Sequence, residues 1–225
     1  MTVTDELVRF IAHATPPAAA LTAAGTVLDA IDQQVRESGE AIKDAPAGGA
    51  PTAMNRAWRT AICAATVDGW STIGATVTAL QHGSPVRAAE AVTATAVGTA
   101  VAEQVAAALE STEAAARWSH RNVAGLIGAG ASAGRLLNLD EEALRNLIGL
   151  CATQASGLAS VEGTAAGVLQ AAKAASDAVE AATLARHGFT SSADGMYGRR
   201  GLFGVLAPGG QWPGDFGAGW GVGGA

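Results

Sequence analysis

Residues 125–137 read GLIGAGASAGRLL, so glycine, alanine and serine recur at the three- and four-residue spacing of one helix face. Small side chains at this spacing allow two helix backbones to approach each other closely. The whole chain fits this pattern, because 49% of its 225 residues are hydrophobic but only 4% are aromatic. A core with so few large side chains predicts tightly packed helices.

The segment from Val86 to Leu109 consists almost entirely of alanine, valine and threonine. Its length favours a buried helix over a strand, although β-branched residues are common in it. A first helix is predicted from a cap at Thr4 to Pro16. Further helices are predicted over residues 18–38, 52–67, 123–137, 141–156 and 165–186. No segment has the pattern of paired strands, so the sequence predicts an all-α, multi-helix bundle.

The last segment reads QWPGDFGAGWGVGGA and has neither a helical nor a strand period. We therefore predict one helical domain over residues 1–207 and a Gly/Trp-rich C-terminal tail over residues 208–225. The tail is expected to be disordered or to become ordered against a partner.

Charge and composition argue against several classes of partner. The net charge is −6 and Arg199-Arg200 is the only basic pair, so nucleic-acid binding is not expected. No stretch reaches the roughly 18–20 uninterrupted apolar residues of a membrane span, so no membrane insertion is expected. The start MTVTDELVRF carries acids where a signal peptide is basic and then apolar, which predicts a cytoplasmic protein.

The sequence predicts neither a metal site nor a nucleotide cofactor. Cys63 and Cys151 lie far apart, which is typical of reduced core residues in a cytosolic chain. The four histidines form no ligand pair of the HxxxH or HxH type. GAGASAG (128–134) contains suitable glycines, but it lacks the strand and the βαβ frame of a dinucleotide site.

Three polar positions each have a chemical and a structural interpretation. Asp68 lies in VDGW beside Trp70, where a carboxylate serves either as a general base or as a helix cap. His120, in RWSHRN, lies at a loop-to-helix junction, where a side chain can point into a cleft. Lys173 is the one charge in GTAAGVLQAAKAA, either a reactive amine in an apolar wall or an ordinary surface charge.

The C-terminal half contains a distinctive series of motifs: GAGASAGRLLNLD, then QASGL, then a helix ending AATLARHGFTSS, then YGRRGLFGVLAPG. This series resembles the MmgE/PrpD family, which includes 2-methylcitrate dehydratase, cis-aconitate decarboxylase and an iminodisuccinate epimerase. The earlier LTAAGTVLDAID is similar to the "lDtlG" helix of that family. The resemblance is specific from Val123 to Pro208 and looser before Val123.

The resemblance implies a large helical domain that, in family members, is joined by a smaller α+β lid domain. No segment of this chain matches the lid, so we expect the helical domain alone. The resemblance also implies a dimer through the helical domain, formed with a second copy or with a paralogue. It implies cofactor-independent proton transfer next to a carboxylate, on a small acid or a biosynthetic intermediate.

Matching the flanking motifs transfers the family site onto this chain. The first family histidine falls on Ala65, the second falls on Ser119 with His120 one residue later, and the lysine falls on Gly167. Asp68 matches an acidic position of the family. In this register the lysine and both matched histidines are missing, so most of the family's rate enhancement is expected to be lost.

Lys173 does not replace the missing lysine, because six helical residues rotate it by about 120° from the direction of Gly167. The candidate residues, from chemistry and resemblance together, are Asp68 and His120 for catalysis and Trp70, Ser119, Lys173 and Arg199 for substrate binding.

The sequence leaves three functions open. The first is a divergent, lid-less lyase or isomerase that acts on a small acid or a biosynthetic intermediate. The alternative is a non-catalytic subunit that pairs with a full-length paralogue or a separate lid-like chain. The third is a protein that holds an apolar ligand in the vacated cleft.

Overall fold

The computed structural model describes residues 2–38, 52–67, 69–82, 87–110, 112, 116–208, 216 and 220–222. Within these ranges the chain forms nine α-helices and one pair of two-residue β-strands, which confirms the predicted all-α class. The helices are α1 (Val3–His13), α2 (Ala18–Glu37), α3 (Ala53–Cys63), α4 (Ser71–Gln81), α5 (Ala88–Glu110), α6 (His120–Leu136), α7 (Glu141–Gln154), α8 (Ala165–Arg186) and α9 (Leu202–Leu206). The strands are β1 (Ala14–Thr15) and β2 (Gly221–Val222).

Local capping signals explain where several helices begin and end. The first helix is capped by Thr2 and not by the predicted Thr4, because Thr2 and Asp5 form a reciprocal capping box. Hydrogen bonds from Thr2 lower the pKa of Asp5 to about 2. Asp140 caps α7, since its carboxylate accepts from the backbone of the first turn of that helix. Gly188, with φ of +80°, follows the end of α8.

Helix α6 lies at the centre of the bundle and packs against α4, α5, α7 and α8. Its residues are buried from Val123 to Gly134. On the α5 side, a methyl carbon added at Gly128 would lie 2.5 Å from the Gly98 carbonyl oxygen. A methyl carbon at Gly98 would in turn clash with the Gly128 carbonyl oxygen and the Ser132 hydroxyl. The two helix backbones therefore touch, as the small-residue pattern predicted.

A buried hydrogen bond fixes the same crossing. The hydroxyl of Ser132 is fully buried and donates to the carbonyl oxygen of Ala94 at 2.9 Å. Since this carbonyl group already belongs to the backbone of α5, the bond joins the two helices at one register.

The opposite face of α6 uses glycines in the same way against α7. A methyl carbon at Gly130 would lie 2.5 Å from the Cys151 Sγ, and one at Gly134 would lie 2.5 Å from Leu144. Burial raises the pKa of the Cys151 thiol to about 12, and the Asp177 carboxylate adds to this shift. The prediction of a reduced core cysteine is confirmed for Cys151, whereas Cys63 is also free but only half-buried.

Helix α5 is long and apolar enough to cross a membrane by length and composition. In the fold, 56% of its most apolar window is buried, and α5 packs along α6. A core helix of a helical bundle passes the same test, so the length and composition of α5 carry no further conclusion.

The described parts of the tail pack on α1. Strand β2 pairs antiparallel with β1, and the rings of Phe216 and Trp220 lie 6.2 and 5.3 Å from the ring of Phe10. Phe216 is only 5% exposed. The expectation of a disordered or partner-bound tail is therefore wrong for these residues, because its aromatic side chains bury apolar area on α1. The boundary at residue 207 stays a prediction.

We expect Gly98→Ala and Gly128→Ala each to lower the free energy of unfolding by about 1–3 kcal/mol, because a methyl group overpacks the helix crossing. Urea unfolding followed by circular dichroism measures the change. Gly25→Ala is the matched control, since nothing lies within 4 Å of its added carbon. That control should raise stability by about 0.5–1 kcal/mol through helix propensity. Equal effects at all three glycines would contradict the tight crossing.

Phe216→Ala should lower the free energy of unfolding by about 3 kcal/mol, because it removes a buried ring from the face of α1. Phe189→Ala removes the same ring from a side chain that is 56% exposed. It should therefore change stability by no more than about 0.5 kcal/mol. Thermal unfolding compares the two variants, and a small loss for Phe216→Ala would show that the tail is not anchored on α1.

Candidate functional site

A cleft of about 540 Å³ lies where α4, α6 and α8 begin. We call it the Trp70 cleft; residues of the 65–72, 119–122 and 162–171 segments line it. Its volume falls within the range of small-molecule sites, about 300–1,000 Å³.

The starts of three helices line the Trp70 cleft. The residues that precede α4, α6 and α8 are Trp70, Ser119 and Thr164, and all three are lining residues. The side chains of Trp70 and Thr164 make no capping hydrogen bond, and no other side chain of a described residue bonds to the first amides of α4 and α8. Each helix N-terminus carries a partial positive charge, and three together favour an anion in the cleft.

Arg121 adds a full positive charge to the same wall. Its guanidinium donates a short hydrogen bond to the carbonyl oxygen of Gly69 and lies 5.0 Å from the centre of the Trp70 ring. The contact with the ring is a cation–π interaction, which holds the arginine beside the N-terminus of α4. Since a guanidinium has five N–H donors, others stay available for a ligand.

The first turn of α6 also supplies neutral polar groups. The Ser119 hydroxyl oxygen accepts from the Asn122 backbone amide at 3.2 Å, and the Asn122 Nδ2 donates to the Ser156 carbonyl oxygen at 2.7 Å. The Asn122 Oδ1 is buried and has no hydrogen-bond partner among the described residues. Because this oxygen is shielded from solvent, it does not face the cleft.

The facing wall comes from the turn before α8. Glu162 is the one acidic residue among the described lining residues. The Thr164 hydroxyl donates to the Val161 carbonyl oxygen at 2.6 Å, and the Gln170 Oε1 accepts from the Leu158 amide at 2.6 Å. These bonds tie the turn to α8, so the carboxylate of Glu162 is carried on a defined backbone.

All three positions that the motif register matched to the family's histidines and lysine line the Trp70 cleft. They are Ala65, Ser119 and Gly167, and they come from three separate parts of the chain. At Gly167 an added carbon would lie 2.7 Å from the Val161 carbonyl oxygen. The backbone of the 161–162 turn therefore occupies the space where a side chain would begin.

The predicted site residues are only partly brought together. Trp70 and Ser119 line the Trp70 cleft. His120 is the first residue of α6 and is half-buried, but it is not among the lining residues. Asp68 lies outside the described residues, so its role as a catalytic group stays a prediction; its neighbours Val67 and Gly69 both line the cleft.

Lys173 lies on α8 and does not line the Trp70 cleft. Its ammonium group pairs with the Asp177 carboxylate one turn later, and its side chain is 58% exposed. This placement is an i, i+4 ion pair between an exposed ammonium group and a largely buried carboxylate. The alternative of a reactive amine in an apolar wall does not describe its surroundings.

Arg199 lies in a different cleft of about 650 Å³, which we call the Arg199 cleft. Residues of the 192–206 segment line it together with Trp118 and the end of α7. One extended segment separates the two clefts: Trp118 lines the Arg199 cleft and the next residue, Ser119, lines the Trp70 cleft. Trp118 pairs with Leu158 in an isolated β-bridge, which holds this shared wall.

In the described part of the chain, His, Cys, Asp and Glu side chains form no group of three or more that could hold a metal ion. The absence of a cofactor stays a prediction from the sequence and the resemblance.

Sequence reasoning did not identify Arg121 and Glu162. Arg121 directly follows His120 in RWSHRN, and its place in the first turn of a helix was the available signal. Glu162 lies in a turn between two helices, and nothing local distinguishes it from a solvent-exposed acid. Neither residue could be identified from the sequence, because the sides of α6 and α8 that line the cleft are set by packing between distant segments.

We expect Gly167→Lys to lower the free energy of unfolding by about 2 kcal/mol more than Ala166→Lys does, because only the former side chain collides with the Val161 carbonyl group. The two positions are neighbours on α8, and Ala166 is exposed. Urea unfolding gives the stabilities, and amide chemical shifts at residues 161–164 report the displaced turn. Equal stabilities for the two variants would show that the turn yields freely.

Comparison with known proteins agrees with the fold. No curated protein sequence matches the chain significantly. A family model described as the MmgE/PrpD N-terminal domain matches residues 53–214, which is more than two thirds of the chain and includes every residue that lines the Trp70 cleft. This chain therefore belongs to the MmgE/PrpD family.

Proposed function

We propose that this chain binds a small carboxylic acid in the Trp70 cleft and acts on it as a divergent, cofactor-independent lyase or isomerase. The observation that carries the proposal is the meeting of three helix N-termini with Arg121 around one cleft. The charge of a carboxylate is stabilised by such amides and by a guanidinium. The substrate is a small acid or a biosynthetic intermediate of that size.

Binding uses groups on two walls of the cleft. Arg121 and the first amides of α4 and α8 face the carboxylate. The indole of Trp70 supplies an apolar surface beside the charged groups. A small acid with a short apolar part satisfies both kinds of group.

Glu162 is the described group that would accept the proton from the carbon next to the substrate carboxylate. The helix N-termini then stabilise the negative charge that develops on that carboxylate. Asp68 is the second acid that the sequence offers for this task. A site without the matched histidines and lysine lacks groups that are each worth on the order of 10²–10⁴-fold in rate. We therefore expect slow turnover.

The test combines binding and proton exchange with a panel of small di- and tricarboxylic acids. Calorimetry gives the dissociation constant, and proton NMR in D2O follows deuterium entry at the carbon next to the carboxylate. Arg121→Gln should raise the dissociation constant about tenfold, because a charge-assisted hydrogen bond is lost. Glu162→Gln should lower the exchange rate by at least about 100-fold while binding is retained.

Glu180→Gln is the matched control, because Glu180 is exposed on α8 and lines neither cleft. It should change neither quantity. Ligand binding that is insensitive to Arg121→Gln would contradict the proposed cleft. Binding without any exchange in the unchanged protein would contradict the lyase or isomerase and would favour the second candidate.

The second candidate is a non-catalytic subunit that pairs with a full-length paralogue or a separate lid-like chain. It is favoured by the lining residues Ala65 and Gly167, which carry no titratable group where the motif register expects a histidine and a lysine. Two large apolar side chains near the cleft, Leu158 and Leu169, are 56% and 52% exposed and could be covered by another chain. A homodimer through the helical domain is the remaining arrangement.

Light scattering of the purified chain, alone and mixed with a full-length family member from the same source, separates these arrangements. A stable mixed complex that gains activity supports the subunit. A monodisperse self-assembly that exchanges substrate protons without a partner contradicts it.

A further inference from the structure

The Arg199 cleft is not used by the proposed function. Its volume of about 650 Å³ is large enough for a small organic molecule. Its floor is apolar, with Leu202, Leu206 and Ala152, and one side is the indole of Trp118. Its rim holds Arg199 and Arg200, the one pair of adjacent cations in a chain of net charge −6.

Among the described residues, no carboxylate pairs with either arginine. Neither guanidinium forms a hydrogen bond or an ion pair within the ranges that the structure describes, and both side chains are exposed. Asp194 lines the same cleft without pairing to either of them. Two adjacent like charges repel each other, and a bound dianion would relieve that repulsion.

A compact turn holds the arginines in place. The Gly198 amide donates to the Asp194 carbonyl oxygen at 2.9 Å, and the Leu202 amide donates to the Gly195 carbonyl oxygen at 2.9 Å. A methyl carbon at Gly201 would lie 2.5 Å from the Asp194 carbonyl oxygen, so the turn closes on itself.

Aromatic packing anchors the same turn to the core. The rings of Tyr197 and Phe203 stack at 5.4 Å, and Met196 is 1% exposed. The backbone that carries Arg199 and Arg200 is therefore fixed before any ligand arrives, which lowers the entropic cost of binding.

We propose that the Arg199 cleft is a second binding site, for a small organic molecule with a doubly charged anionic end and a flat apolar body. Arg199 and Arg200 bind the anionic end, a phosphate or two neighbouring carboxylates. The flat body lies against Trp118 and the leucines of the floor. Asp194 disfavours ligands with further negative charge and accepts from a ligand hydroxyl.

The probes are phthalate, phenyl phosphate and inorganic phosphate, titrated into the full chain by calorimetry. Phthalate and phenyl phosphate separate the carboxylate source of the charge from the phosphate source, and inorganic phosphate lacks the apolar body. We expect at least one aromatic probe to bind. Arg199→Gln combined with Arg200→Gln should raise its dissociation constant at least about tenfold, the loss expected from charge-assisted hydrogen bonds.

Arg36→Gln combined with Arg186→Gln is the matched control, because both side chains are exposed, both changes remove the same charge and neither residue lines the cleft. It should change the dissociation constant less than about twofold, since distant surface charges are screened by salt. Arg199→Lys combined with Arg200→Lys keeps the charge and should weaken binding less than the glutamine pair does. Circular dichroism checks that each variant is folded.

Three outcomes would overturn the proposal. Neither aromatic probe binds the unchanged protein, the two glutamine pairs weaken binding equally, or inorganic phosphate binds as tightly as phenyl phosphate. The last result would show that the apolar residues of the cleft do not contribute to binding. A probe that binds in the Trp70 cleft instead loses affinity with Arg121→Gln and not with the Arg199 and Arg200 pair, so the two proposals are tested separately.

Discussion

The contact between Gly98 and Gly128 sets the distance between α5 and α6, the two described helices with the most buried residues. The carbonyl oxygen of each glycine lies where a side chain of the other would begin, and the Ser132 hydroxyl fixes the register of the crossing. The chain has few aromatic residues, so large side chains neither separate these helices nor fill the space between them. Close packing of backbones supplies the dispersion contacts that large side chains provide in other cores.

The position of α6 determines the site. Glycines on both of its faces press it against α5 and α7, so its first turn is placed relative to the rest of the bundle. That first turn carries Ser119, Arg121 and Asn122 into the Trp70 cleft. The positive end of α6 meets those of α4 and α8 there, which makes the cleft a place for an anion even without a lysine.

The sequence predicted the fold better than the site. The bounds of α8 were predicted as found, at Ala165 and Arg186. Its small-residue pattern and the His187-Gly188 pair that follows it can both be read from the local sequence. The motif register also chose Ala65, Ser119 and Gly167, three positions that line one cleft. Arg121 and Glu162 were not predicted, because only the packing of distant helices brings both residues to the same cleft. Thr2 replaced Thr4 as the first cap since the reciprocal bond with Asp5 favours the earlier residue.

The wall between the clefts has a thermodynamic consequence. Trp118 and Ser119 share a peptide bond but belong to different clefts, and the β-bridge to Leu158 keeps the segment extended. The two clefts would be coupled if a molecule that displaces the indole on one side also moved the cap of α6 on the other. Linkage requires such an effect to be reciprocal: if occupancy of either cleft alters affinity at its neighbour, both affinities change by the same factor.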